Sequence, residues 1–143
     1  MAWNFADTRV TALSPTSVKE EVRLVKLTFA DFTTGGTASV KAVIPANSTI
    51  TEISYWKKTA FSGNSISAAT LSIGITGTAT KYVNAFDVHT PAAGTQAEIT
   101  PVSNIYENYD PTNRTDVSLL FTGTATTGNP TAGEMYVKIK YVR

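Results

Sequence analysis

The sequence predicts an all-β chain: an antiparallel two-sheet sandwich, jelly-roll-like, of about eight strands behind an extended N-terminal arm. Two observations carry this. Apolar residues recur with period two in runs separated by Gly, Pro, Asn and Ser. About one residue in six is Thr, a β-branched type suited to a pleated surface. No helical pattern of the length that a doubly wound α/β fold requires lies between the runs.

Residues 1–21 read as the arm and 22–143 as the sandwich. Met1 to Ser17 places Trp3 and Phe5 among polar residues with no sustained period. Ser17-Val18-Lys19-Glu20 has the spacing of a capping box, which would open a short helix. The strand pattern that follows at once favours an extended arm, ordered only by docking.

From Val22 the alternation recurs, with turn residues between the runs. Val25, Leu27 and Phe29 form one inward set, and Thr33-Thr34-Gly35-Gly36 turns the chain. Ala38, Val40, Ala42 and Ile44 form the next, broken by Pro45-Ala46-Asn47-Ser48 because proline donates nothing to a ladder. Ile53 and Tyr55 oppose Glu52, Ser54 and Lys58; Leu71, Ile73 and Ile75 oppose Thr70, Ser72 and Gly74. Tyr82 with Phe86, and Ala97 with Ile99, mark weaker runs, and Pro101 to Asn113 reads as a long loop. Val117, Leu119 and Phe121 follow, then Met135, Val137, Ile139 and Tyr141 against Glu134, Lys138 and Lys140. The echo Thr76-Gly77-Thr78-Ala79-Thr80 and Thr122-Gly123-Thr124-Ala125-Thr126 marks either equivalent turns in the two sheets or low-complexity composition.

Composition excludes several functions. The 143 residues suit one domain, and 42% apolar with 16% charged residues suits a folded one. A net charge of +1, with basic residues scattered, gives no nucleic-acid or membrane-surface footprint. Without cysteine there are no disulfides and no thiolate metal sites. No apolar span or export signal is evident, so synthesis in a cytoplasm is expected, and the sequons at Asn47 and Asn113 read as chance in a Thr-rich chain.

The chain offers little chemistry. Its one histidine, His89, shares a strand face with Asp87, but two ligands make a poor metal site; a solvated turn residue is expected. No Gly-x-Ser-x-Gly elbow, P-loop, EF-hand or dinucleotide fingerprint occurs. The adjacent acids Glu20 and Glu21 would point to opposite faces of a strand. No catalytic residue, metal ligand, cofactor or small-molecule substrate is expected.

Apolar residues outside the core pattern stand out instead. Trp56 falls on the polar side of its strand unless a bulge returns it to the core. Leu120 and Tyr136 are out of phase with their inward neighbours, and Tyr106 and Tyr109 lie in the long loop. Trp3, Phe5, Trp56, Tyr106, Tyr109 and Tyr136 are the candidate protein-interface residues. A carbohydrate-binding sandwich is the alternative, with Trp56, Tyr82 or Tyr106 stacking on sugar rings beside Glu52 or Asn108.

Thr70 to Thr95, from Thr-Leu-Ser-Ile-Gly-Ile to Thr-Pro-Ala-Ala-Gly-Thr, resembles small structural proteins of tailed-bacteriophage virions. Ile44-Pro45-Ala46-Asn47-Ser48-Thr49-Ile50, followed by Ile53 and Trp56, is similar to the same group's proline-punctuated strand pair. The resemblance covers roughly the middle half of the chain and lies in phrasing rather than in an invariant motif. It implies a jelly-roll subunit of the virion, assembled in the host cytoplasm. It further implies a capsid decoration (cement) protein that forms a homotrimer and binds the major capsid protein. Tail, neck and fibre-attachment proteins are similar too.

Overall fold

The computed structural model describes residues 19–90, 95–98 and 115–143. The strands are β1 (Glu20–Thr28), β2 (Phe32–Thr34), β3 (Thr37–Ile44), β4 (Thr49–Ser62), β5 (Ala68–Ile75), β6 (Thr78–Asp87), β7 (Thr95–Glu98), β8 (Val117–Thr126) and β9 (Ala132–Val142). One sheet has the order β1-β9-β4-β7; the other has β2-β8-β5-β6, with β3 also paired to β8. The short β2 runs parallel to β8, while β3 and every other paired strand run antiparallel. Since β2 and β3 share one edge of β8, the two sheets hold eight strand positions. The chain passes repeatedly from sheet to sheet, which is the jelly-roll sandwich the alternation predicts.

β9 shows why. Met135, Val137, Ile139 and Tyr141 are fully buried, and the residues between them face outward. Ile53 and Tyr55 of β4, Leu71 and Ile73 of β5, and Leu119 and Phe121 of β8 complete the same layer from both sheets. Two aromatic contacts bridge the sheets: Phe32 on Phe61, with centroids 4.1 Å apart, and Tyr55 on Phe86, at 4.4 Å.

Local devices interrupt the strict alternation in several of the described strands. Phe29 is 44% exposed, because a single 3-10 turn over Phe29–Asp31 interrupts the strand and Phe32 enters the core instead. The Asp31 carboxylate holds that turn, accepting the Thr28 amide at 2.8 Å and pairing with Lys41 at 2.5 Å. In β3 a bulge between Val40 and Ala42 reverses the phase, so Ala42 and Ile44 are buried while Ala38 and Val40 face out. In β6, Ala85 adopts a positive φ of 50° beside a register shift, and the neighbours Tyr82 and Val83 are both buried. The Thr-Gly-Thr-Ala-Thr echo does not mark equivalent turns: Thr76-Gly77 is the β5–β6 turn, whereas Thr122–Thr126 lies within β8.

The Thr33–Gly36 turn forms as expected, with both glycines at positive φ (86° and 68°) and the Gly36 amide donating to the Thr33 carbonyl. Val18 and the residues before it lie outside the described part; β1 begins at Glu20, where its partner in β9 is Val142.

Candidate functional site

The outer face of the β1-β9-β4-β7 sheet carries three of the exposed large apolar residues among those described, Val22, Leu24 and Trp56. Strand register sets out its rows. Val22 lies opposite Lys140, which lies opposite Glu52. Leu24, Lys138 and Ser54 form the next row, continued at the register position of Glu98. Lys26, Tyr136 and Trp56 form the third, continued at the position of Gln96.

Trp56 therefore faces outward and is 41% exposed. The bulges of β4 fall between Ile50 and Glu52 and beyond Lys57, and none returns Trp56 to the core. Its ring stacks on that of Tyr136, with centroids 5.5 Å apart and planes 18° apart, the contact expected of cross-strand aromatic neighbours. The Lys26 ammonium lies 6.0 Å from the Tyr136 ring centre. Trp56, Tyr136, Leu24, Ser54, Tyr55 and Lys138 line a shallow hollow of about 250 Å³.

Ion pairs border this hollow on both sides. Glu52 takes Lys138 at 3.0 Å, Lys140 at 3.6 Å and the Ser54 hydroxyl at 3.0 Å. Glu134 takes Lys58 at 3.4 Å, Lys26 at 3.6 Å and the Tyr136 hydroxyl at 2.7 Å. The Lys138 bond holds the Glu52 carboxyl below the usual range, and the Tyr136 hydroxyl, then Lys58 and Lys26, do so for Glu134. At the sheet's end, Glu21 accepts the Tyr141 hydroxyl at 2.5 Å and Arg143 Nε at 3.0 Å, which likewise lower it.

A carboxyl lowered by folding contributes stability above its unfolded value, and that contribution is lost as pH falls through the folded value. Melting of the chain is therefore expected at a lower temperature at pH 3 than at pH 7, by roughly the same mechanism for all three acids. Added salt should shrink the difference, because the pairs are exposed. Equal melting temperatures at the two pH values would show that the ladders add nothing.

Of the sequence-predicted interface residues, Trp56 and Tyr136 are brought into contact; Trp3, Phe5, Tyr106 and Tyr109 lie outside the described residues. Leu24, 66% exposed, belongs to the surface and was not singled out by pattern, since Val22-Arg23-Leu24-Val25 is apolar in both phases of the alternation. Leu120 is half-buried. Tyr82 is fully buried and offers no face to a sugar ring, which removes it from the carbohydrate set.

Lys57 is the other residue that the pattern missed. It is 2% exposed on the inner face of β4, and its ammonium donates to the Thr90 carbonyl. Burial pushes its pKa down, with the Asp87 charge working against that shift. Asp87 is itself held low: burial opposes this, but the Thr90 hydroxyl and the amides of His89 and Thr90 outweigh it. His89 Nδ1 lies 2.8 Å from the Phe61 carbonyl. The Asp87–Thr90 segment is thus a hydrogen-bonded turn, and among the described residues no group of three His, Cys, Asp or Glu side chains converges to hold a metal ion.

No protein-family model matches the sequence, and neither does any curated protein. Solved structures do match. A chain of the capsid asymmetric unit of cyanophage Pam1 aligns over 89% of this chain and 86% of its own length, with a TM-score of 0.61 and 17% identity. A chain from the acid-stable capsid of Helicobacter pylori bacteriophage KHP30 aligns over 88% and 93%, with a TM-score of 0.53 and 11% identity. One from the capsid of Ralstonia phage GP4 aligns over 87% and 84%, with a TM-score of 0.50 and 16% identity. At these identities the likeness establishes the fold: this sandwich is one that phage capsid assemblies also contain.

Proposed function

We propose that this chain is a non-enzymatic structural subunit of a tailed-bacteriophage virion, a capsid decoration (cement) protein that bridges capsomers and stabilises the head. The observation that carries the reading is the fold match: three phage capsid assemblies each contain a chain that aligns with 87–89% of this one. The middle of the sequence resembles the same kind of protein. The outer sheet face adds a surface suited to contact, with exposed Trp56 and Leu24 inside a charged rim.

On this reading the mechanism is mechanical. The subunit forms a homotrimer, sits on the major capsid protein and is added in the host cytoplasm. Residues 1–17, holding Trp3 and Phe5, clasp a neighbouring subunit. Each contact is modest, and many copies on one lattice resist internal pressure together.

Mass spectrometry and electron cryomicroscopy of purified particles of the encoding phage test this. The expected result is the chain in many copies per particle, as density on the outside of the head where capsomers meet. Density on the tail or neck would replace decoration by the tail-protein reading. Absence from the particles would overturn the virion role altogether.

A further inference from the structure

The hollow between Leu24, Tyr136 and Trp56 is an apolar surface whose polar neighbours are already engaged. Lys138 and Ser54 are bound to Glu52, and Tyr136 donates to Glu134. A sugar would have to compete for those groups. The volume of about 250 Å³ also falls below the roughly 300–1,000 Å³ of small-molecule sites. What the hollow offers is room for one large side chain, with Leu24 66% and Trp56 41% exposed around it.

The chain carries such a side chain outside the described residues. Eighteen residues precede Lys19, among them Trp3 and Phe5. The stretch from Phe5 to Lys19 reaches up to about 45–50 Å when extended. β1 runs from Glu20 past Val22 to Leu24, and Lys19 exchanges backbone hydrogen bonds with Arg143 at the end of the sheet. A segment continuing the line of β1 before Lys19 would lead away from its own hollow. A neighbouring molecule's hollow can be reached without reversing the chain. With a net charge of +1, two copies repel each other little.

We infer that the Leu24–Trp56–Tyr136 hollow is a socket for an aromatic side chain, Trp3 or Phe5, from residues 1–18 of a second copy of this chain. The inference rests on the reading of the chain as a self-associating subunit and names the surface through which it associates. Leu24 and Trp56 supply the walls and exclude water. The Glu52 and Glu134 ion pairs form the rim, where charges set orientation more than affinity.

Sedimentation of the full-length chain across a concentration series tests this, with two variants. Trp3→Ala/Phe5→Ala keeps the socket and loses the plug. Leu24→Lys keeps the plug and charges the socket at an exposed position that the fold does not need. The wild-type chain should associate, and each variant alone should do so at least ~10-fold more weakly, with unchanged circular dichroism. Mixing the two variants should restore pairing, because an intact plug then meets an intact socket. A monomeric wild type, variants that associate like it, or a mixture that stays unpaired would each overturn the inference. A chain that is monomeric in solution yet found on phage heads would overturn it while leaving the virion role standing.

Discussion

Replacing Phe61 by Ala should lower the unfolding free energy by about 3–5 kcal/mol, read as a shift in the urea midpoint with an unchanged slope. Phe61 is fully buried at the far end of β4, and its ring packs on Phe32 with centroids 4.1 Å apart. It also lies over Gly133 of β9, where an added Cβ would overlap the ring. The ring thus rests on a flat place in the neighbouring strand, and no side chain there can swing in to fill the space that alanine leaves. A loss below about 1 kcal/mol would mean that the two sheets close over the gap.

Gly74→Val should cost about 3 kcal/mol or more, for the opposite reason. Gly74 is buried in β5, and a Cβ there would overlap the Thr78 carbonyl and the backbone of Ala79 at the start of β6. Backbone cannot rotate away as a side chain can, so the β5–β6 hairpin must open. Hydrogen exchange should show the damage first in the amides of β6. Protection equal to that of the unsubstituted chain would show that the hairpin absorbs the methyl groups. By contrast, Trp56→Ala on the outer face should change stability by no more than about 1 kcal/mol, so any effect on assembly can be read separately.

The sandwich itself was legible in the sequence, because burial on one side of a sheet forces a period of two on every strand that crosses it. β9 is the clearest case, where Met135 to Tyr141 alternate without a fault. Where the pattern misled, a local device had changed the phase. Asp31 pins a turn that expels Phe29, and one extra residue at Lys41 turns Val40 outward. Neither device has a hydrophobic signature. Lys57 has no apolar signature to mark it as buried, and only the fold supplies the Thr90 carbonyl that receives its ammonium.

The candidate surface was half legible. Trp56 and Tyr136 betray themselves as aromatics on the polar side of their strands. That they touch depends on the register of β4 against β9, a pairing between residues 80 positions apart that no local pattern encodes. Leu24 joins them for the same reason, through the register of β1 on β9.

The strand order also governs when the molecule can fold. β9 lies between β1 and β4, and β8 lies between β3 and β5, so the last two strands of the sandwich in chain order are interior strands of the two sheets. Until residues 115–143 have left the ribosome, β1 and β4 have no shared neighbour and neither sheet is joined. Folding of the sandwich therefore waits for β8 and β9, on the slow millisecond-to-second scale of sandwiches built from distant pairings. A nascent chain stalled before Ala132 should remain protease-sensitive throughout β1 and β4. The outer face with Trp56, Tyr136 and Leu24 comes into being only when synthesis of the strand between them is complete.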